Sequence, residues 1–410
     1  RAPAASSSRT VAREQAFHDP IHVPAGAWAR ARGAFALMAL AGLALCGLGF
    51  ALDRDQFFFS WITSLLFFLS LSLGALFFVM VQHLARAGWS VAVRRLAEAA
   101  AWTVPVFALL FLPVLAGLDR LFPWTDAEAA AHDHLLQGKR GYLNAPFFVL
   151  RAAVYFAVWT LLARYFHRTS VAQDASRDPR LTVVMQRRAA PGMIAYAVTV
   201  TFMAFDWIMS MDPHWYSTIF GVYVWAGSVL AAYGLLTLTG RALTGAGYLR
   251  AVFRVDHVQD LGRLLFAFTV FWAYIAFSQF FLIWYGNIPE ETIWYLHRAQ
   301  GSWKTVSVVL MVGHFAVPFV LLMSRFTKRR PAFVAAMAAW ILGMHYLDLH
   351  WLILPNLRHD GFALHWLDLA SLLGIGGVFL LVYSHRLAAA ALVPTGDPRL
   401  SESLALEHVS

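Results

Sequence analysis

An aspartate lies inside a stretch of sequence that otherwise suits hydrocarbon, FMAFDWIMSMDPHWYSTIFGVYVW at positions 202–225. An ionised carboxylate left unpaired in hydrocarbon is strongly unfavourable, so Asp206 requires a partner, a proton or a function. Arg151, in the equally apolar stretch YLNAPFFVLR, carries the complementary charge. The two side chains suggest either an ion pair that pins two helices together or a polar pocket that binds a ligand.

A second group of ionisable side chains within apolar stretches comprises His314, His345, Asp348 and Asp368. His345 and Asp348 would share one face of a helix, and Asp368 is predicted about two turns into the last apolar stretch. Histidines at mid-depth in a membrane can relay protons, ligate a b-type haem or pack in the core. Bulky neighbours flank both histidines and disfavour a porphyrin, so a proton relay and satisfied core histidines stay open as alternatives.

Three further polar residues interrupt an aromatic segment, LGRLLFAFTVFWAYIAFSQFFLIWYGNIPEET. They are Tyr274, Ser278 and Gln279, of which the first two have helical i, i+4 spacing and are predicted to share a face. With bound water, these side chains would carry protons toward His314 and Asp348. Ordinary interhelical hydrogen bonding explains the same residue types equally well.

These residues must be positioned by helices in a membrane, because 60% of the 410 residues are hydrophobic and only 13% are charged. About 20 apolar residues are needed to span a bilayer. Ten such runs are predicted, near 28–52, 57–85, 100–122, 146–167, 190–211, 215–240, 261–286, 303–325, 332–354 and 362–386. The predicted fold is all-α, with an N-terminal segment at 1–27, a ten-helix transmembrane domain at 28–386 and a C-terminal tail at 387–410.

The distribution of basic residues predicts the orientation of the chain. Ten helices place both termini on one side, and that side carries 24 of the 32 lysine and arginine residues, against seven on the opposite side. The positive-inside rule therefore predicts that both termini are cytoplasmic. The net charge of +9 is spread over short loops, which indicates topology and contact with anionic lipid and excludes a nucleic-acid-binding domain.

Several classes of site are excluded by composition. Cys46 is the only cysteine, so the chain cannot build a disulfide, an iron–sulfur cluster or a c-type haem attachment by itself. A glycine-rich phosphate loop is missing, which disfavours an ATP-driven transporter. The first 27 residues lack an apolar core, so we expect neither a signal peptide nor a helical anchor there.

The predicted helix positions bring Arg151 and Asp206 to the same depth. Asp206 is expected about 9 Å from the outer end of the fifth helix, and Arg151 about 8 Å into the fourth. The ion pair is therefore predicted to form. Tyr155, one turn further along the fourth helix, and His132, in the preceding HDH segment, complete a candidate polar pocket with that segment as its lid.

Four motifs carry a resemblance to a known family: FDWIMSMDPHWYSTIFGVY, GRLLFAFTVFWAYIAFSQFFLIWYGNIPEET, YLNAPFFVLR and HYLDLHWLILPN. In these motifs and their order, the chain closely resembles the ActF-type membrane subunits of bacterial alternative complex III, which are members of the NrfD/polysulfide-reductase-like family. The resemblance covers the chain from about residue 20 to 386. It implies two four-helix bundles, formed by helices 2–5 and 6–9, with helices 1 and 10 flanking them.

The resemblance also implies partners and a role. Complexes of this family, in the bacterial inner membrane, oxidise quinol and pass electrons to iron–sulfur clusters and c-type haems on partner subunits, then to a cytochrome c or a terminal oxidase. The quinol site is expected on an ActC-like membrane partner. This chain is expected to support assembly and proton translocation without a metal redox centre of its own.

Two other functions are alternatives to this expectation. A quinol-oxidising subunit would use the region of Arg151 and Asp206, close to the periplasmic face. A secondary transporter is disfavoured because its helices would be broken at mid-membrane, whereas the apolar runs here are unbroken.

Overall fold

The structure is a computed structural model that describes residues 20–408. Within that range, the regular secondary structure is entirely helical, and ten helices are long and apolar enough to cross a membrane. We number them α1 (Ala29–Leu52), α2 (Arg54–Leu84), α3 (Val91–Ala116), α4 (Ala145–Ser176), α5 (Pro179–Met211), α6 (Phe220–Gly245), α7 (Val255–Gly286), α8 (Gly301–Met323), α9 (Pro331–Asn356) and α10 (Trp366–Ala388). The predicted fold class, an all-α polytopic membrane protein, is confirmed.

The connections between these helices alternate between two ends of the bundle. We call the end that contains the α1–α2 connection the outer end and the opposite end the inner end, after the orientation predicted from the sequence. Short helices in the outer connections are Leu118–Leu121, Ala127–His132, His134–Lys139 and Pro289–Arg298, and those at the inner end are Arg325–Lys328 and Leu400–Leu404.

Helices α4 and α5 extend well beyond the apolar runs that predicted them. The Asn144 side chain caps the start of α4 by accepting a hydrogen bond from the Phe147 amide. At the inner end only two residues connect α4 to α5: Arg177, in the left-handed conformation, and Asp178, which caps α5 by accepting from the Arg180 amide. Hydropathy detects only the part of a helix that lies in lipid, so these polar inner extensions were missed.

Helices α2 and α6 form the centre of the bundle. In the most apolar 18-residue stretch of each helix, 89% of the residues of α2 and 83% of those of α6 are buried, against 22% for α1. A helix that is apolar on all faces packs in this way because every face has a protein neighbour. Helices α2 to α5 form one ring of contacts, α6 to α9 form a second, and the α2–α6 contact joins the two rings. Helix α10 pairs with α1 and also packs on α2 and α3.

The inner end of α3 contains a buried charge cluster, which explains why α3 begins at Val91 rather than near residue 100. Arg95 lies 2.9 Å from Glu98 and 2.8 Å from Asp174, and Arg94 pairs with Asp397. Glu98 is only 1% exposed. Arg94 and Arg95 were counted as loop charges in the sequence, whereas each has its countercharge inside the protein.

The C-terminal segment, residues 389–408, packs against the inner end of the bundle and is not a free tail. The Leu392 amide donates to the Ile21 carbonyl at 2.8 Å, and the Ala92 amide donates to the Ser403 hydroxyl at 3.1 Å. The segment thereby connects the region before α1 to the start of α3. The rest of the predicted terminal segments, residues 1–19 and 409–410, lies outside the described residues.

Close packing of α1 on α10 depends on small residues. A Cβ atom added at Gly42 would lie 2.2 Å from the backbone nitrogen of Gly374, and one added at Gly377 would lie 2.4 Å from that of Ala39. No side chain fits at these distances, so glycine allows the two backbones to touch, as is common between membrane helices.

We predict that Gly42→Leu lowers the stability of the purified protein in detergent by about 1–3 kcal/mol, because the added side chain forces α1 away from α10. Thermal unfolding measures the change. Gly47→Leu is the matched control, since nothing lies within 4 Å of a Cβ added at Gly47 on the same helix. Equal destabilisation by both substitutions would contradict the role assigned to the α1–α10 contact.

Candidate functional site

The predicted Arg151–Asp206 ion pair forms between α4 and α5. Arg151 Nε lies 2.7 Å from Asp206 Oδ2, and Arg151 Nη2 lies 3.0 Å from Oδ1, so the contact is bidentate. The Tyr155 hydroxyl donates to Oδ2 at 2.6 Å, and Arg151 Nη1 donates to the Tyr142 carbonyl at 2.9 Å. Asp206 is fully buried. The carboxylate that was unexplained in the sequence is thus compensated by three charge-assisted hydrogen bonds, two of them from the Arg151 guanidinium.

Aromatic rings enclose this outer ion pair. The Arg151 guanidinium carbon lies 3.9 Å from the centroid of the Tyr142 ring and 4.4 Å from that of Phe147. The Tyr142 hydroxyl is buried beside the pair and makes no hydrogen bond of normal geometry within residues 20–408. Aromatic packing therefore covers most sides of the ion pair. The Tyr142 hydroxyl beside it can still donate a hydrogen bond.

The HDH segment does not form the predicted lid. His132 is exposed, and its Nδ1 lies 2.9 Å from the Glu128 carbonyl within the same short helix. Asp133 caps the next helix and lies 2.5 Å from His214 Nε2. Hydrogen bonds from the Leu136 amide and from His214 hold the pKa of Asp133 below its ordinary value. Asp133 caps the helix that follows it because aspartate is favoured at the N-cap position. The sequence alone could have indicated this role.

A central cluster lies where the two rings of helices meet. Tyr223 on α6 donates to Asp348 Oδ1 on α9 at 2.5 Å, and Ser70 on α2 lies 2.9 Å from His345 Nε2 on α9. These four side chains line a small cavity of about 10 Å³, measured as space for the centre of a water molecule. Such a volume has room for about one water molecule, with polar partners on several sides.

His314 completes the central cluster, which we define as Ser70, Tyr223, His314, His345 and Asp348. It is fully buried, and neither of its ring nitrogens has a hydrogen-bond partner within the described part of the chain. It lies on a π-helical segment of α8, Leu310–Ala316, a distortion that is frequent at functional sites. Its ring centroid is 6.5 Å from that of His345, whose Nδ1 is also unpartnered within residues 20–408.

The space around these histidines does not fit a haem. The ring of Trp272 packs 4.0 Å from that of His314, and the ring of Tyr223 lies 5.7 Å from Trp272. A porphyrin held by His314 and His345 would have to occupy the volume that these aromatic rings fill. Among residues 20–408, no group of three or more metal-ligating side chains is found.

Asp368 belongs to a hydrogen-bonded network at the outer end of α2. It lies in the first turn of α10 rather than two turns in, because α10 begins at Trp366. Its Oδ1 accepts from Ser60 Oγ at 2.6 Å and Gln56 Nε2 at 3.3 Å, and its Oδ2 accepts from the His365 amide. Asp368 therefore acts as a capping residue of α10 as well as a buried acceptor.

The network continues inward along α2. The Ser64 hydroxyl lies 2.8 Å from that of Ser371 and 3.1 Å from that of Tyr346. We call this set the α2 network: Gln56, Ser60, Ser64, Tyr346, Asp368 and Ser371. Sequence reasoning missed the α2 members, although Gln56, Ser60 and Ser64 recur every four residues and so share a helix face.

The α2 network connects to the outer surface and stops short of the central cluster. Arg358, which is half-buried at the outer end, donates to Gln56 Oε1 at 2.6 Å. At the other end, the Phe67 ring lies 5.2 Å from the Tyr346 ring and 5.9 Å from the His345 ring. The Phe67 ring thus contacts both the Tyr346 ring of the network and the His345 ring of the central cluster.

The three polar residues predicted on α7 do not act together. Tyr274 is 63% exposed, and Ser278, on the same face, is half-buried. Gln279 is buried near the outer end, where it accepts from Ser217 and donates to Tyr295. Tyr274 and Ser278 lie on the face of α7 that points away from the bundle, so they do not extend the central cluster.

Arg298, which was counted as a loop charge, is buried near the central cluster. Its guanidinium donates to the carbonyls of Trp294, Trp351 and Leu352, the last two at the C-terminal end of α9. A cation at a helix C-terminus is favourable because the carbonyls there are unpaired within the helix. Burial lowers the pKa of Arg298 to about 9, and the negative charge of Asp212 opposes this shift.

Comparison with known proteins gives no family assignment: no family model matches the chain, and no curated protein matches it.

We predict that Arg151→Met destabilises the protein by about 3–5 kcal/mol, because it leaves the Asp206 carboxylate buried without its countercharge. The double variant Arg151→Met/Asp206→Leu should be closer to wild type, since no charge is then left unpaired. Chemical or thermal unfolding in detergent measures both.

The control is Arg120→Met, which removes the exposed ion pair to Asp55 and should cost about 1 kcal/mol or less. A single Arg151 variant that is no less stable than the control would show that the outer ion pair is not buried from solvent.

Proposed function

We propose that this chain is a proton-conducting membrane subunit of a quinol:electron-acceptor oxidoreductase of the alternative complex III type. In this proposal the chain lies in the bacterial cytoplasmic membrane with both termini in the cytoplasm and has no metal redox centre of its own. Its partners are an ActC-like membrane subunit, iron–sulfur and multihaem cytochrome c subunits, and a terminal oxidase that receives the electrons. The motifs that resemble ActF-type subunits support the choice of complex.

The observation that carries the proton-conducting role is the route from Arg358 through the α2 network to the central cluster. Protons cross hydrocarbon only along hydroxyl, carboxyl or imidazole groups that lie within one or two waters of one another. The α2 network supplies such groups in two hydrogen-bonded sets, one around Asp368 and one around Ser371, which are joined through backbone carbonyls and would need a water molecule between them. His345 and Asp348 then provide groups that take up and release a proton.

Phe67 is the proposed control point of this route. Ser64 and Ser70 are separated by about 9 Å along α2, at 1.5 Å per residue, and the Phe67 ring fills the space between their partners. Rotation of that ring would let a water molecule connect Tyr346 to His345. A proton would then reach the central cavity only when the aromatic side chain moves.

The hydrogen-bonded route reaches the central cluster from the outer end. Beyond Ser70, Leu73 and Leu76 are buried and apolar, and the Ser72 hydroxyl contacts Thr103 on α3 instead of the central cluster. A path that ends at titratable groups in mid-membrane delivers a proton to them or removes one, and movement to the other side requires a change of conformation. This favours coupling to quinol oxidation in the partner subunit over passive conduction.

A quinol-binding role at the outer ion pair is the second candidate. The buried Tyr142 hydroxyl beside Asp206 favours it, because a quinone oxygen would accept a hydrogen bond from that group. The aromatic packing around Arg151 would have to open first.

We predict that Asp348→Asn and His345→Phe lower the number of protons released per electron in the reconstituted complex while quinol oxidation continues. Phe67→Ala should raise proton leak, because the removed ring leaves space for water between Tyr346 and His345. The measurement is proton release during quinol oxidation in proteoliposomes, with a pH-sensitive dye.

Tyr274→Phe is the matched control, since that hydroxyl lies on the exposed face of α7 and should change neither proton yield nor leak. An unchanged proton yield in both Asp348→Asn and His345→Phe would reduce the central cluster to a packing element.

The two candidate functions separate in a Tyr142→Phe variant. If protons pass through the α2 network and quinol binds elsewhere, this substitution leaves the quinol KM and the proton yield unchanged. A rise in the quinol KM of about fivefold or more, as expected for loss of one hydrogen bond to a ligand, would favour quinol binding at the outer ion pair.

A further inference from the structure

Two arginines approach the same tryptophan at the inner end of the bundle. The guanidinium carbon of Arg386 on α10 lies 3.1 Å from the centroid of the Trp102 ring, and that of Arg164 on α4 lies 5.6 Å from it. Trp102 is on α3, so three helices contribute to one cleft. Stacking on an indole face fixes a guanidinium in place while its N–H groups stay free to donate.

Neither guanidinium has an ion pair or a side-chain hydrogen bond to any residue between 20 and 408. Arg168, one turn along α4 from Arg164, is exposed and likewise has no carboxylate partner in this part of the chain. Like charges that converge in this way repel one another unless an anion lies between them. The cleft therefore has unmet capacity for negative charge.

The acidic residues of the inner end do not meet this demand. Glu98 and Asp174 are both paired with Arg95, and Asp397 is paired with Arg94. The protein thus neutralises its buried arginines at the start of α3, whereas Arg164 and Arg386 have no carboxylate partner within residues 20–408.

The depth of the cleft matches a lipid headgroup. Arg164 lies about 28 Å along α4 from Ala145, and Arg386 lies about 30 Å along α10 from Trp366, at 1.5 Å per residue. The hydrocarbon core of a bilayer is about 30 Å thick, so both guanidinium groups reach the inner interface. Leu161, one turn closer to the membrane centre than Arg164, is 68% exposed and offers an apolar surface at that position.

We propose that Trp102, Arg164 and Arg386 bind the phosphate of an anionic phospholipid in the inner leaflet. The phosphate oxygens would accept from the two guanidinium groups, which suit phosphate because they donate in a planar fork. The acyl chains would lie along the exposed apolar face of α4. This site is independent of the α2 network and of the proton-conducting role.

The test uses the full chain, in the complex with which it purifies, incorporated into nanodiscs. One set contains phosphatidylcholine only, and the other also contains phosphatidylglycerol. Native mass spectrometry counts the retained phosphatidylglycerol, and thermal unfolding measures its stabilising effect. We expect wild type to retain phosphatidylglycerol and Arg164→Gln or Arg386→Gln to bind it about fivefold more weakly, with a larger loss in the double variant.

Arg187→Gln is the matched control, because Arg187 is an exposed inner-end arginine on α5 and its loss should leave retention unchanged. The double variant Arg164→Lys/Arg386→Lys keeps both charges and tests the site if the glutamine variants fail to fold. It should retain more lipid than the glutamine variants and less than wild type, because lysine lacks the planar fork.

Three results would overturn the proposal. Equal retention by wild type and the double glutamine variant would show that the lipid lies elsewhere. A stabilisation by millimolar inorganic phosphate as large as that by phosphatidylglycerol would identify a site for soluble anions. If wild type fails to retain phosphatidylglycerol and a partner subunit covers the two arginines, the cleft binds a carboxylate of that subunit.

Discussion

Hydrocarbon offers no hydrogen-bond partner, so every polar group that the bundle buries must be satisfied by another part of the chain. This constraint determines which helices meet. Ser60 requires Asp368, Ser70 requires His345, and Arg94 requires Asp397, and each pair joins segments that are distant in sequence. Helix α2 can be apolar on most of its surface and still be fixed in rotation, because each of its polar side chains has a partner on a particular neighbour: Ser60 on α10, Ser70 on α9 and Ser72 on α3.

The central cluster contains departures from this rule. His314 and the Nδ1 of His345 are buried without partners within residues 20–408, and His345 lines a cavity with room for about one water molecule. Native proteins leave few buried polar groups unsatisfied, and each such group needs an explanation. A π-helical segment at His314 adds a local distortion at the same place. The outer ion pair, in contrast, is saturated with partners, which is the pattern of a structural element.

The sequence predicted the positions of the helices and one of the buried contacts. Arg151 and Asp206 were matched because both are charged, both lie near the start or end of an apolar run, and depth follows from residue count. Depth alone was not sufficient to predict the contacts of Tyr274 and Ser278, because the rotation of α7 about its axis decides which face meets the bundle. Aromatic residues occur on all faces of α7, so hydrophobicity does not show which face is buried. Asp368 was placed too deep because the predicted apolar run began at residue 362, whereas α10 begins at Trp366.

Charges that neutralise one another inside the protein are hidden from hydropathy and from charge counting. Arg95 and Arg298 were counted as loop charges, yet Arg95 is buried with a partner on α4 and Arg298 is buried at the end of α9. The serines of α2 were missed for a different reason: serine is common between membrane helices, so only its spacing, and not its presence, indicates a network.

The contact between Arg94 and Asp397 bears on how the protein is made. Arg94 is translated with the third helix, whereas Asp397 is translated only after the tenth. Throughout that interval the only carboxylate near Arg94 within residues 20–408 is Glu98, 3.5 Å away on the same helix, and the shorter contact to Asp397 is missing. Docking of the segment that follows α10 is thus coupled to the third helix, since this segment supplies a charge that the start of α3 needs. A cell that inspects nascent membrane proteins for unpaired charges would find the start of α3 incompletely paired until the segment after α10 arrives.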